Sequence, residues 1–277
     1  MSEIILLTGA TGFVGRQILK ALIASGLRVR LVIRSGNEQE FVGRKGIESI
    51  VTTNDLFSEQ CEWFSKICTG IDTVIHCAWY VDPTDYQYST KNIDCLIGSL
   101  NFAKGAALSS VSRFIGIGTC FEYDVSAGKL SIHTPIKPAT PYASTKAALF
   151  FALSHFFPTQ KVSFAWCRLF YLFGEGERSD RFIPYLRSKL KCGEVAELTN
   201  GYQIRDYLDV SIAARMIVEI ALGTQTGPFN ICSGHPITIR EMAEKIAEEY
   251  GRKDLLKFGA RQENIFDPLF IVGVKNE

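Results

Sequence analysis

Tyr142 and Lys146 sit four residues apart in Pro141-Tyr142-Ala143-Ser144-Thr145-Lys146. On a helix that spacing puts a phenol and an ammonium on one face. A nearby cation stabilises phenolate, so such a tyrosine can give or take a proton. Upstream, an apolar run ends in Gly118-Thr119-Cys120-Phe121-Glu122-Tyr123, which gathers a hydroxyl, a thiol, a carboxylate and a second phenol. Near the start, Thr8-Gly9-Ala10-Thr11-Gly12-Phe13-Val14-Gly15 follows the first apolar run. A strand–turn–helix needs glycine where the backbone bends tightly and where it must approach a pyrophosphate, and the helix N-terminus then offers free N–H groups to the phosphates. Tyrosine and lysine at this spacing are common on amphipathic helices; beside a glycine loop they read as a proton relay next to a nucleotide.

These groups act together only if the fold converges them. Short apolar runs rich in β-branched residues occupy 4–7, 29–33, 47–51, 73–75, 113–117, 163–166 and 229–231, separated by longer segments of helical period. Runs apolar on both faces, alternating with helices, predict a parallel sheet covered on both sides, a doubly wound α/β (Rossmann) architecture. Helix signals fall between the runs. Residues 15–25 end at Gly26, a plausible C′ glycine. Thr140-Pro141 supplies an N-cap and an N1 proline just ahead of Tyr142. Ser211 precedes a helix over 212–222, and Thr238 with Glu241 forms a capping box before one over 242–250, closed by Gly251. The expected division is a dinucleotide-binding domain of 1–170 plus about 205–232, and a smaller C-terminal substrate-binding lobe of 171–204 and 233–277. The Gly/Glu-rich stretch 174–180 is the expected lobe boundary or mobile loop.

Composition narrows the function. The 277 residues are 47% hydrophobic, enough for a large core. Thirty basic against twenty-nine acidic side chains leave a net charge of +1 with no basic run, which argues against nucleic acid or an anionic membrane as partner. No apolar run approaches the roughly 18 residues of a membrane span, and the N-terminus lacks a signal-peptide core, so a soluble cytoplasmic protein is expected. Eight cysteines and four histidines are scattered without metal-ligand spacing. They read as reduced thiols and packing residues, with no metal. At the end of the second run, where NAD-binding folds place an acidic residue against the ribose, stands Ile33-Arg34-Ser35. A guanidinium there favours a ribose 2′-phosphate, hence NADP(H), with NAD(H) as the alternative.

With His76-Cys77-Ala78 after a strand, Asn92, the Thr119 turn, the tyrosine–lysine pair and the later Gly201-Tyr202-Gln203-Ile204-Arg205-Asp206-Tyr207, the chain resembles the extended short-chain dehydrogenase/reductase family of nucleotide-sugar epimerases, dehydratases and reductases. The match runs in order from residue 4 to about 272. The resemblance implies that Thr119, Tyr142 and Lys146 are catalytic. It implies that Gly9, Thr11, Gly12, Phe13, Val14, Gly15, Arg34, Asp55, Leu56, Cys77, Ala78, Asn92 and Leu169 hold the cofactor together with Tyr142 and Lys146. It also implies that Trp79, Thr119, Tyr171, Arg181, Arg205 and Arg261 meet a nucleotide-sugar substrate. From position alone, Trp79 and Tyr80 wall a pocket or belong to the core, and Arg181 reaches the diphosphate or is solvated.

The Thr119 stretch separates members of that family. Dehydratases carry an acid–base Asp-Glu pair where this chain has Cys120 and Phe121. Enzymes resembling GDP-fucose synthase place an epimerising cysteine at the Phe121 position, and in an extended segment Cys120 would face the other way. Glu122 is expected to be a structural acceptor and His76 a packing residue. Resemblance is greatest to nucleotide-linked 4-keto-6-deoxyhexose reductases, such as the CDP-abequose and CDP-paratose synthases and dTDP-fucose-forming enzymes. The implied activity is reduction at carbon 4, with 4-epimerisation as the alternative and a non-catalytic NADP(H) sensor as the rival from another class. Family members often dimerise through two helices per subunit. Here those would be 92–108 and 142–156, with Phe150, Phe151, Phe156 and Phe157 suiting either that surface or a core.

Overall fold

The computed structural model describes residues 3–109, 111–264 and 267–276. Strand and helix alternate from the start: β1 (Ile4–Thr8), α1 (Phe13–Ala24), β2 (Arg28–Arg34), β3 (Ile47–Thr53), α2 (Cys61–Ile67), β4 (Thr73–His76), α3 (Lys91–Ala107) and β5 (Arg113–Thr119). A short β6 (Lys129–Leu130) precedes α4 (Pro141–Thr159), β7 (Ser163–Leu169) and β8 (Tyr171–Phe173). Then follow α5 (Phe182–Cys192), β9 (Ala196–Glu197), β10 (Ile204–Asp209), α6 (Val210–Leu222), β11 (Gly227–Ile231), β12 (Pro236–Thr238), α7 (Ile239–Glu249), β13 (Leu256–Lys257) and β14 (Phe270–Gly273).

All seven apolar runs become strands of one parallel sheet, in the order β11-β7-β5-β4-β1-β2-β3. Alternate side chains enter two different cores. Ile5 and Leu7 of β1 pack with Ile18 and Leu22 of α1 and Ile217 of α6, whereas Leu6 joins Phe64, Phe102 and Leu153 from α2, α3 and α4 on the other face. Helices on both faces are why the central strands are apolar on both sides, whereas β2 and β3 toward one edge carry Arg28, Arg30, Glu48 and Ser49. Strand order reverses between β1 and β4, whose last residues, Thr8 and His76, are partners. In this class of sheet a ligand crevice opens at that switch point.

A second sheet runs β12-β10-β14-β6, with β8 beside β10. Residues 204–209, expected alongside the dinucleotide-binding part, pair here instead. The reason is polar. The buried Asp206 carboxylate accepts the Ser233, Gly234 and Gly273 N–H groups, partners that only the C-terminal segments supply. Ile183 and Leu186 of α5 and Ala243 and Ile246 of α7 form a further core beside this sheet. The 174–180 stretch links β8 to α5 and is tied to α1 by a Gln17–Glu175 hydrogen bond and a Lys20–Glu175 ion pair.

Two helix starts differ from expectation. The first helix begins at Phe13, not residue 15, because Gly12 in extended conformation already acts as its N-cap. In α6 the cap is Asp209 rather than Ser211, since its carboxylate accepts the Ser211 N–H at 2.8 Å. The caps at Thr140 and Thr238 form as the sequence indicates. Of the four phenylalanines on α4, Phe157 lies in the core and Phe150 packs on Trp166, while Phe151 is exposed, as are Ile93 and Ile97 of α3. No helix among the described residues is long and apolar enough to cross a membrane.

Candidate active site

The crevice at the β1/β4 switch is a cavity of about 640 Å³. The glycine loop builds one end. Gly9 has a φ of +76°, and a Cβ there would stand 2.8 Å from the Ala78 nitrogen. A Cβ on Gly15 would run into the Gly9 carbonyl. No side chain caps α1 at Gly12, so the first N–H groups of that helix stay available to an anion. Thr11, Phe13, Val14, Cys77, Ala78 and Leu169 line the same cavity. Asp55 and Leu56 wall it too, with the Asp55 carboxylate accepting the Phe57 N–H at 3.0 Å to close the turn after β3. Arg34 sits exposed at the end of β2 and faces the cavity beside Asn37; among the described residues its guanidinium has no carboxylate partner. The neighbouring arginines are occupied. Arg16 bonds the Thr11 carbonyl and Glu40, and Arg30 bonds the Ile67 and Thr69 carbonyls.

Thr119, Tyr142 and Lys146 meet on the same cavity. Thr119 ends β5, Tyr142 stands in the first turn of α4, and Lys146 lies one turn on, so strand end and helix start bring them together. Lys146 Nζ donates to the Ile117 carbonyl at 2.7 Å and lies 3.8 Å from the centre of the Trp79 ring. Burial pushes this amine down to about 8. The Tyr142 phenol is pushed up, chiefly by burial and then by Tyr86 and Glu122, with the nearby Thr119 hydroxyl acting the other way. That corrects the expectation that Lys146 draws the phenol toward neutrality: here the ammonium is engaged by a carbonyl and an indole face. His76 is the packing residue expected, bonded to Thr8 and Ser99, and burial plus Lys146 push it down to about 3.

The segment after Thr119 is a tight helical turn over Cys120–Glu122, not an extended stretch. Strand alternation therefore does not apply, and both Cys120 and Phe121 reach the cavity wall. The Cys120 thiol is 2% exposed, and burial, followed by Glu122, pushes it upward, away from the thiolate a nucleophile needs.

Trp79, Tyr171 and Arg181 line the cavity; Asn92, Arg205 and Arg261 do not. Asn92 is buried behind Trp79. Its Oδ1 accepts the indole N–H at 2.9 Å, and its Nδ2 donates to the Tyr86 and Ser89 carbonyls. Arg205 is buried under the Tyr171 ring, with Nη2 at 2.7 Å from Asp267, so the Asp267 carboxylate meets the cavity in its place. Arg261 lies over the Tyr185 ring, 4.5 Å from its centre. Sequence reasoning missed Asn37, Tyr86, Gln87 and Asp267, all on the wall. Tyr86 and Gln87 belong to an irregular loop without periodicity, and no local signal marked them. No cluster of metal-ligating side chains occurs among the described residues.

Residues 5–232 match the family model described as "NAD dependent epimerase/dehydratase family". The chain is 24% identical to dTDP-6-deoxy-L-talose 4-dehydrogenase (NAD(+)) of Aggregatibacter actinomycetemcomitans, over 98% of this chain and 99% of that one. It is 22% identical to CDP-abequose synthase of Salmonella typhimurium, over 98% and 90%. Its fold is similar to that of the UDP-N-acetylglucosamine 4-epimerase of Methanobrevibacter ruminantium, with a TM-score of 0.82, 22% identity, and 99% and 90% of the two chains covered.

Proposed function

The chain belongs to the NAD dependent epimerase/dehydratase family, and on that premise we propose that it is an NADP(H)-dependent reductase of a nucleotide-linked 4-keto-6-deoxyhexose. The observation that carries this reading is the meeting of Thr119, Tyr142 and Lys146 on a cavity whose other end is the glycine loop. The loop fits a dinucleotide: glycine at 9 and 15 lets the turn close against Ala78 and the helix start close against the Gly9 carbonyl, and the α1 N–H groups are uncapped. Asp55 and Leu56 would flank the adenosine, Arg34 would take the 2′-phosphate, and Lys146 would hold the nicotinamide ribose. A bound reduced nicotinamide supplies the hydride. Tyr142 is kept protonated by its burial, the form a proton donor requires, and gives its proton to the oxygen forming at carbon 4. Thr119 hydrogen-bonds that same oxygen.

The two similar curated enzymes support the substrate class. A 4-dehydrogenase of a deoxysugar nucleotide, run in reverse, is a 4-ketoreductase by microscopic reversibility. Within the cavity, Trp79, Tyr171 and Arg181 are the substrate contacts, whereas Arg205 and Arg261 are engaged elsewhere. The (NAD(+)) in the first relative's name stands against the NADP preference that Arg34 favours, so cofactor choice is measured directly. The exposed Ile93, Ile97 and Phe151 on α3 and α4 suit a homodimer packed through those helices, and eight unpaired cysteines suit the reducing cytoplasm. We divide the chain into a dinucleotide-binding part around the seven-stranded sheet and a substrate lobe around α5 and α7.

NADPH oxidation is followed with a panel of nucleotide-linked 4-ketosugars. Turnover is expected, and Tyr142→Phe lowers it about 1,000-fold or more while NADPH binds within threefold of the parent. No NADPH consumption with any ketosugar would indicate a sensor. Interconversion of two sugars without net consumption would indicate a 4-epimerase.

A further inference from the structure

Directly behind Thr119 lies a carboxylate with no exposure. Glu122 is 0% exposed and its partner Arg168 is 1% exposed. Glu122 Oε1 accepts the Thr119 N–H at 2.8 Å, both carboxylate oxygens lie 3.0 Å from Trp166 Nε1, and Oε2 accepts Arg168 Nε at 2.6 Å. Every donor to it is an N–H, so the group serves as an acceptor. It also does not line the cavity. A carboxylate so close to a reacting hydroxyl invites the role of acid, but neither its partners nor its position allow it.

Its geometry does something else. Thr119 and Glu122 form a reciprocal capping box: the Thr119 Oγ1 accepts the Phe121 N–H, and Glu122 holds the Thr119 N–H. This turn is what directs the Thr119 hydroxyl. The space beneath it is reserved by glycine, since a Cβ on Gly118 would strike both Trp166 Nε1 and the Glu122 carboxylate. From the pair, bonds run outward. Arg168 Nη1 donates to the Tyr123 hydroxyl at 3.0 Å, Tyr123 donates to Asn230 Oδ1 at 2.8 Å, and Asn230 Nδ2 donates to the Leu130 and Val274 carbonyls. Those carbonyls belong to β6 and the segment after β14, so the chain of bonds ends in the second sheet. The Arg168 guanidinium is clasped between the Tyr123 and Phe150 rings, 4.6 and 4.5 Å from their centres.

We propose that Glu122 is a positioning residue that acts through Thr119: the buried Glu122–Arg168 pair fixes the turn carrying the Thr119 hydroxyl and, through Tyr123 and Asn230, sets it against the second sheet. This rests on the reading of Thr119 and Tyr142 as the reacting pair. Glu122→Gln keeps the size of the side chain but turns an amide N–H₂ toward the Arg168 and Trp166 donors. The turn shifts, and kcat falls about 10- to 100-fold. NADPH affinity stays within threefold, and the pH profile keeps its shape because no titrating acid is lost.

A double-mutant cycle with Thr119→Val decides the matter. If Glu122 acts through Thr119, then Glu122→Gln costs little further once the hydroxyl is gone. Losses that multiply in the double variant, or full activity in Glu122→Gln, overturn the proposal. If Thr119→Val itself keeps the parent rate, the reading of Thr119 falls instead, and the two failures are told apart. Should Glu122→Gln fail to fold, Tyr123→Phe keeps the ring on Arg168 and deletes only the hydroxyl that links it to Asn230. It is expected to lower kcat severalfold, with the same lack of further loss in the Thr119→Val background. An unchanged kcat, or a loss that multiplies with Thr119→Val, contradicts the proposal.

Discussion

Lys146 and Arg168 are both buried cations beside the end of β5, 4% and 1% exposed, and they are held in opposite ways. Arg168 has a full counter-ion in Glu122 and aromatic rings on both faces. Lys146 has one backbone carbonyl and the face of Trp79, and no carboxylate pairs with it among the described residues. A buried charge that is paired builds structure; one left with only partial compensation is under strain that a ligand or a reacting group can relieve. The same distinction extends to the surface arginines around the cavity: Arg16 is engaged by Glu40 and the Thr11 carbonyl, whereas Arg34 carries no counter-ion.

Replacing each cation tests that difference. Arg168→Met leaves Glu122 buried without its partner, and about 3–5 kcal/mol of stability is expected to be lost in urea unfolding. A change under 1 kcal/mol would put the paired cation on the same footing as Lys146.

Lys146→Met is expected to keep the fold and lose about 100-fold in turnover. It also changes the pH dependence of stability. Because the folded amine is pushed down to about 8 from 10.5, the unfolded chain holds one more proton than the folded chain between those values. The lysine is thus a burden on stability below about 8 that is relieved as pH rises. In the parent this group adds a slope of about 1.4 kcal/mol per pH unit across that window, and the methionine variant lacks it. Turnover should meanwhile fall over the same window as the ammonium is lost, so activity and stability diverge above about pH 8. Parallel pH–stability curves for parent and variant would show that Lys146 is not strained.

The smallest effect is at the surface. Arg34→Ala should weaken NADPH about tenfold and NADH less than twofold, while Arg16→Ala changes neither by more than about twofold. Equal losses for both cofactors in Arg34→Ala would remove the 2′-phosphate from its role.

Much of this was legible because it is local. The central strands of the large sheet are runs apolar on both faces, and the glycine loop, the Thr140 cap and the tyrosine–lysine pair are short-range patterns on single elements. The paired cation was not legible in that way. Arg168 and Glu122 lie 46 residues apart, and nothing near Arg168 marks it as buried. The Thr119-x-x-Glu122 capping spacing was present in the sequence, but following an apolar strand it reads as more strand, and so Cys120 was oriented wrongly. Asn92 and Arg205 show the limit of carrying motif positions into a site. Both occupy the expected elements, yet Asn92 supports Trp79 from behind and Arg205 is neutralised by Asp267, a contact made by a segment without periodicity.

The central claim, hydride delivery to carbon 4 with Tyr142 as acid, is tested most directly with NADPH deuterated at the transferring carbon and a nucleotide-linked 4-keto-6-deoxyhexose. The account predicts one deuterium at carbon 4 of the product for each NADPH consumed. A product without deuterium at carbon 4, or sugar conversion with no NADPH consumed, would contradict it.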